Sequence, residues 1–285
     1  NYSTCNHYKN SLNHMLDIYK INPERYVYDM HPHYYGNEFL KDVKGEKIGV
    51  QHHHAHIVSC MVEHNITEQV IGVAFDGTGY GSDGKLWGGE FLICDKERFK
   101  RLAHINYIDI PGGEGAIREP WKMAISYLYD TFKEEYLAYL PKHLQKKKHK
   151  IITEIIKKHI NSPKASSIGR LFDAVSALLG FDDKITFQGE AAIYLENISC
   201  ENDESFYKYN ICLEEGSYII DCKPLIKSVA IEVLDGIDKE IIARRFHNTI
   251  IEFTTELCQI LRKEYQLSSV VLSGGVFQNE ILLTN

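Results

Sequence analysis

Two short runs with strand character, Lys47–Gln51 and Val70–Phe75, enclose a segment that opens His52-His53-His54-Ala55-His56. The second run leads straight into Phe75-Asp76-Gly77-Thr78-Gly79-Tyr80-Gly81. Strand, helix and strand in that rhythm define a layered α/β domain. The rhythm also sets the start of one helix, with its histidines, one strand away from a glycine-rich turn carrying a single carboxylate. A fold that satisfies this stretch brings imidazoles, an aspartate and open backbone amides close together.

The helix is expected from about His52 to His64. On it, His52 and His56 stand at i and i+4, about 40° apart in projection and side by side on one face. Two imidazoles on one turn are a common way to hold zinc or iron. His53 and His56, at i and i+3, form a competing pair that spacing alone leaves open. The alternative to metal is a polar helix start. Four histidines directly after the apolar Ile48-Gly49-Val50 argue against surface decoration. Asp76 is positioned to supply a third ligand. In Asp76-Gly77-Thr78-Gly79 the glycines free backbone N–H groups for a phosphate, and Thr78 adds a hydroxyl. The alternative there is a hairpin loop whose glycines serve only positive φ.

Further along, the expected elements are a helix over residues 5–20, a strand at Arg25–Asp29, a helix at Tyr34–Asp42 and a strand at Leu86–Cys94. Asp83-Gly84 makes a hairpin of the last strand and Val70–Phe75, with a wide mouth at Asp76–Ser82. Residues 116–160 read as almost entirely helical, and Ile168–Leu179 as a further amphipathic helix. Residues 205–235 regain strand character. Apolar residues at Ile242, Phe246, Ile250, Phe253, Leu257 and Leu261 mark a long helix over Lys239–Tyr265. Ser269–Leu272 is a buried-type strand, Ser273-Gly274-Gly275 a turn, and Val276 opens a new helix.

Of the 285 residues, 44% are hydrophobic and 25% charged, the balance of a globular protein with a substantial core. A net charge of −7 argues against a chain built to grip nucleic acid; the run Lys146-Lys147-Lys148-His149-Lys150 reads as a solvated face. Seven cysteines, odd in number and never in Cys-x-x-Cys, fit free thiols in a reducing cytoplasm. No apolar run is long enough for a membrane span. The chain begins without Met and stops shortly after a strand–Gly-Gly–helix junction, so truncation at both ends is expected.

Other segments can carry chemistry. Ser273-Gly274-Gly275-Val276-Phe277-Gln278-Asn279 is a strand–turn–helix junction that can aim amides and a helix dipole at an anion. Asp173 in Gly169-Arg170-Leu171-Phe172-Asp173 and Glu190 in Gln188-Gly189-Glu190 are suitable acceptors for ribose hydroxyls, or simply helix-end acids. In Pro111–Trp121, Arg118 can clamp a planar or anionic group, or belong to a structural turn. Arg118 and Thr78 are the candidate catalytic groups.

These residues in this order resemble the C-terminal domain of the HypF carbamoyltransferase family of nickel–iron hydrogenase maturation. The resemblance rests on Val50–His56, Ala74–Gly81, Leu86–Phe91, Pro111–Trp121, Gly169–Asp173, Gln188–Glu190, Phe246-His247-Asn248 and Ser273–Asn279. It implies an actin-like fold of the sugar-kinase/Hsp70 type, two lobes with a nucleotide in the cleft. Residues 1–115 would form the first lobe, 116–200 a helical insertion lining the cleft, and 201–285 the start of an incomplete second lobe. It implies His52, His56 and Asp76 as ligands of zinc or iron, with a further Asp beyond the end of this chain. Gly77, Thr78, Gly79, Asp173, Gly189, Glu190, Ser273, Gly274, Gly275 and Asn279 would surround the nucleotide.

The activity implied is carbamoyl transfer from carbamoyl adenylate to the C-terminal cysteine thiol of the partner HypE, with ATP and carbamoyl phosphate as the sources in the full-length protein. Small-molecule O-carbamoyl transfer, or a non-catalytic metal- and nucleotide-binding module, are the alternatives. A second lobe cut after Ser269–Leu272 is expected to expose apolar surface on that strand and on the Lys239–Tyr265 helix. Such a chain should be marginally folded.

Overall fold

The computed structural model describes residues 2–285 other than 33, 35, 36, 38, 42, 182 and 183. Helix α1 (Tyr2–Tyr19) leads to a parallel pair, β1 (Arg25–Asp29) and β2 (Glu46–Val50), in which Asp29 lies opposite Val50. Helix α2 (His52–Glu63) follows at once, capped by Gln51, whose side chain accepts from the His54 amide. The helix expected over Tyr34–Asp42 falls on a stretch that lies largely outside the described residues.

The main sheet is built on β3 (Val70–Tyr80), β4 (Leu86–Cys94) and β5 (Phe99–Ile105), all antiparallel. Strands β6 (Ile108–Asp109) and β7 (Lys164–Ser167) attach near the start of β4. Strand β8 (Asn210–Glu214) pairs with β9 (Ser217–Asp221), which joins β5 in parallel, and β10 (Val270–Ser273) joins β3 in parallel. The path β10-β3-β4-β5-β9-β8 therefore mixes both pairing types. Strands from residues 201–285 and from residues 1–115 share this one sheet, so the expected boundary at 200 does not divide it.

Alternation along β3 explains the two layers. Val70 and Ala74 turn to one face, where Ile57 and Met61 of α2 cover them together with Trp87 and Leu92. Gly72 lies between them because a Cβ there would come within 2.7 Å of Ile57. Ile71, Val73 and Phe75 turn to the other face, into a core completed by α4 (Trp121–Phe132), α6 (Ile168–Leu178), α8 (Lys223–Asp235) and α9 (Lys239–Tyr265). The described residues also form helices α3 (Glu114–Arg118), α5 (His149–Lys157), α7 (Glu190–Ile198) and α10 (Glu280–Thr284). No described helix is long and apolar enough to cross a membrane.

Several expectations are revised. The stretch 116–160 is broken by 3-10 turns at Lys133–Tyr139 and Leu144–Lys146, with Pro141 between them. In 205–235 only β8 and β9 are strands. Lys223–Asp235 is a helix because Leu225, Ile226, Val229 and Ala230 bury one face at helical spacing, overriding β-branched composition. Past β10, the chain makes a 3-10 turn at Gly275–Gln278 before α10, which Asn279 caps through Leu282 N. The named apolar stripe of α9 is wholly buried. On β10, where exposure was also expected, Val270 and Leu272 are 42% and 37% exposed while Val271 is buried.

Candidate metal centre and adjoining cleft

Strand β3 does not end at Phe75, and the wide hairpin mouth is a bulge within it. Phe75 pairs with Gly89 and Gly79 with Trp87, four steps on one strand against two on its partner. The extra residues, Asp76 to Thr78, leave the ladder and are re-aimed, as bulges beside sites commonly are. Neither Gly77 nor Gly79 has positive φ, so conformational freedom is not why they are glycine. At Gly79 the reason is close approach: a Cβ there would lie 2.6 Å from His53 and 2.7 Å from His52, whereas one on Gly77 would meet only Arg170 Nη2, at 3.9 Å.

The bulge faces the first turn of α2. His52 Nε2 lies 3.1 Å and His56 Nε2 3.3 Å from Asp76 Oδ2. One ligand atom from each of the three residues can be chosen so that all lie within 4.8 Å of one another. Two imidazole nitrogens and a carboxylate oxygen at that spacing fit a divalent cation. The open choice between His52 and His53 is resolved by packing. His53 is fully buried, its ring centroid 6.0 Å from that of Trp87 in a tilted contact, and it engages Gln51 Nε2 through Nδ1 at 3.1 Å. Burial pushes its pKa down to about 4. His54 turns away to the Asp95 carbonyl at 2.8 Å.

Hydrogen bonding to Asp76 raises the His52 pKa above its ordinary value; burial opposes this, and a 2.7 Å contact from Nδ1 to Asp29 Oδ2 supports it. Burial by itself would raise the Asp76 carboxyl, but His52, His56 and the Gly77 amide outweigh it and hold Asp76 far below the usual carboxylate range. Asp76 is thus ionised and ready to ligate at any physiological pH.

Two other expected segments converge on the bulge. Gly274, at φ 102°, presses on Phe75, where a Cβ would sit 2.2 Å from the Phe75 carbonyl oxygen. Its neighbour Gly275 lies so close that a Cβ would come within 3.3 Å of Asp76 Oδ1. From the other side, Gly169 at the start of α6 packs on Gly77, with only 2.8 Å from an added Cβ to the Gly77 Cα. Ser167 caps α6 by accepting from Arg170 N, and its hydroxyl donates to the carbonyls of Asp76 and Gly77.

Beyond Gly77 opens a cleft of about 410 Å³, within the range of small-ligand sites. Asp173, Glu190, Gly189, Arg118 and Arg170 all line it, so the two acids face one cavity. Asp173 is buried, and burial pushes its pKa up to about 6 against the opposing charge of Arg170. Arg170 Nε lies 2.9 Å from Asp173 Oδ2, yet at an angle that makes no hydrogen bond, so both buried atoms lack hydrogen-bond partners. Arg170 Nη2 lies 3.9 Å from where a Cβ on Gly77 would be. Arg170 therefore links the cleft to the bulge. Sequence reasoning passed it over, although an Arg on a helix otherwise buried on nearly every side was a signal.

The remaining candidates are less central. Glu190 accepts from the Thr186 amide and hydroxyl at 2.5 and 3.0 Å, partly a helix-start role. Arg118 is 69% exposed on the cleft rim, paired with Glu114 at 2.6 Å. Thr78 is half-buried in the bulge, and Ser273 ends β10. Asn279 is buried as a helix cap, its amide also 3.0 Å from His247 Nε2, so its side chain is committed to the fold.

Solved structures share this fold over nearly the whole chain. A full-length HypF solved in its phosphate- and nucleotide-bound form is 40% identical, with a TM-score of 0.90 over 98% of this chain and 44% of that one. The HypF of T. kodakarensis is 32% identical, with a TM-score of 0.79 over 90% of this chain. Residues 72–285 match the carbamoyltransferase Kae1-like domain, second subdomain, and residues 1–63 the HypF Kae1-like domain. This chain belongs to the HypF carbamoyltransferase family. The carbamoyltransferase HypF of Synechocystis sp. is 32% identical over 99% of this chain, and a HypF homolog of Cupriavidus necator is 29% identical over 98%. The chain spans 38% of the length of the Synechocystis protein.

Proposed function

We propose that this chain transfers a carbamoyl group from carbamoyl adenylate to the C-terminal cysteine thiol of HypE, the step that leads to the cyanide ligands of nickel–iron hydrogenase. The observation that carries the reading is the junction at Gly77, where the His52–His56–Asp76 triad meets the Arg170–Asp173 cleft. A nucleotide seated across that junction has its phosphate at the bulge and its ribose at the acids. The proposal includes an actin-like, two-lobed parentage for the fold.

Carbamoyl adenylate is a mixed anhydride that water destroys, so an enclosed site serves it. A zinc or iron ion held by His52, His56 and Asp76 would supply a Lewis acid for a phosphate or carbamoyl oxygen. Arg170, buried and short of hydrogen-bond partners, offers charge-assisted donors to the phosphate. Backbone amides of Thr78 and Gly79 and of Gly274-Gly275, with the Thr78 hydroxyl, would serve the negative charge that develops on the oxygens, while the Gly77 amide donates to Asp76 Oδ1. Asp173 and Glu190 accept from the ribose hydroxyls, and Arg118 stands at the entrance. The acceptor thiol, having lost its proton, attacks the carbamoyl carbon. A C–S bond forms, the C–O bond to phosphate breaks, and AMP leaves. In a longer HypF protein, ATP and carbamoyl phosphate would generate the adenylate.

The test supplies carbamoyl adenylate and HypE to the metal-loaded chain and follows HypE by intact mass. Addition of one carbamoyl group to HypE, and none to HypE lacking its C-terminal cysteine, is expected. Equal modification without the chain would overturn the reading.

A further inference from the structure

His52 uses both ring nitrogens. Nε2 points into the triad, and Nδ1 lies 2.7 Å from Asp29 Oδ2. A neutral imidazole has one N–H and one lone pair, so whichever nitrogen keeps the proton decides which can ligate. We propose that Asp29 is a positioning residue of the metal centre, holding the proton on His52 Nδ1 so that the Nε2 lone pair faces Asp76 and the cation. The inference rests on the metal reading of the triad and extends it to a residue 23 positions upstream of His52.

The fold builds this contact deliberately. Asp29 is the last residue of β1 and lies opposite Val50 in the parallel register, two residues before His52. The pairing continues one residue further, Met30 N donating to Val50 O at 3.3 Å. Asp29 is itself fixed. Its other oxygen accepts from His31 N at 2.8 Å, and Asn37 Nδ2 donates to the His31 carbonyl at 2.7 Å. These bonds hold the Asp29 carboxylate with one oxygen toward the His52 imidazole.

A purely structural ion pair predicts a different outcome. Asp29 and His52 side chains are 23% and 24% exposed, and a pair this well shielded that served only the fold would show its loss as a lower melting temperature of the metal-free chain, with metal affinity kept. Partners on the far nitrogen of a metal-bound histidine instead govern affinity, and losing one typically lowers it about 10–100-fold. The role therefore shows in metal affinity and ligand field, with stability nearly unmoved.

The experiment titrates the metal-free chain with zinc against a competing chelator, and records the visible spectrum of the cobalt form. It compares wild type, Asp29→Ala, Asp29→Asn and Glu46→Ala. Glu46 pairs with Arg25 on the same small sheet, exposed and away from the centre, and controls for disturbance of that sheet. Expected are a loss of zinc affinity of about 10–100-fold in Asp29→Ala, a smaller loss in Asp29→Asn, whose amide oxygen can still accept from Nδ1–H, and an altered cobalt spectrum in both. Glu46→Ala should match wild type, and all metal-free melting temperatures should agree. Wild-type affinity and spectrum in Asp29→Ala would overturn the role of Asp29 while leaving the triad intact. A wild-type chain that binds neither zinc nor cobalt would overturn the metal reading and this inference with it.

Discussion

The candidate metal triad and the arginine–acid cleft are linked through Arg170 beside Gly77, but their polar groups are partnered in different ways. In the triad the charged atoms face one another: Asp76 Oδ2 lies 3.1 Å and 3.3 Å from the two histidine Nε2 atoms, Asp76 Oδ1 accepts from the Gly77 amide, and His52 spans Asp76 and Asp29. In the cleft, Arg170 Nε and Asp173 Oδ2 are buried without a hydrogen bond, a condition native proteins rarely tolerate unless something else completes it. The triad is a self-satisfied cluster that a cation can replace proton for proton. The cleft holds a buried ion pair whose facing atoms are poorly aligned for a hydrogen bond. Substitution should therefore break the two halves differently.

The largest effect belongs to the triad. His52→Ala, His56→Ala and Asp76→Ala should each reduce bound metal to background in elemental analysis, whereas His54→Ala, bonded to the Asp95 carbonyl, should retain it. Because the His52 pKa is raised, protons compete with the cation to a higher pH than for an ordinary histidine, so affinity should fall as pH drops through that raised value. Full metal content in both histidine variants would break the comparison at its first term.

The cleft responds to pH in the opposite half of the argument. Asp173 has a folded pKa of about 6, raised from 3.8 by burial. A carboxyl with a raised folded pKa favours the native state below the unfolded value, and that advantage is lost as pH rises through the folded one. Between about pH 4 and 6, wild type should therefore lose up to roughly 3 kcal/mol relative to Asp173→Asn, read as the difference between their denaturation curves. A pH-independent difference would show Asp173 to be better solvated than its burial implies. Next in size, Arg170→Ala should weaken AMP binding by about 1.5–3 kcal/mol, the worth of a charge-assisted hydrogen bond, with metal content unchanged. Parallel loss of metal would mean that the two halves are one site, not two joined at Gly77.

The two halves also differed in how far the sequence disclosed them. His52 and His56 were legible because one helical turn sets their distance, and Asp76 because a strand delivers it to that turn. The choice against His53 was not legible. It depends on Gly79 and Trp87 crowding one face of α2, which no local spacing encodes. Asp29 was invisible for a similar reason, since only the parallel pairing of β1 with β2 brings it to His52. In the cleft, Asp173 was named and Arg170 missed, although both stand out on a helix whose residues from Ile168 to Leu178 are nearly all buried. The strand character expected over 205–235 gives way to a helix at Lys223–Asp235, where Leu225, Ile226, Val229 and Ala230 bury one face at helical spacing. Asn279 looked like part of a ligand turn and proved to cap a helix, a role that depends on the chain leaving β10 through a 3-10 turn.

The smallest expected effect sharpens the boundary of the cleft. Arg118 was a candidate clamp, and it does line the cavity, but it is 69% exposed and already paired with Glu114 one turn away. A solvent-exposed i, i+4 pair contributes about 0.3–0.5 kcal/mol, so Arg118→Ala should leave the melting temperature almost unchanged. Its charge at the rim acts on an incoming anion through water, where screening at physiological salt shortens its reach to about 8 Å. AMP affinity should accordingly fall no more than a few-fold, and the small loss should vanish at high salt. Arg170→Ala, with its charge buried beside Gly77, should keep its full effect at the same salt. A loss in Arg118→Ala as large and as salt-resistant as that of Arg170→Ala would move Arg118 from the entrance to the ligand itself, and would mean that the Glu114 pair opens when the cleft is filled.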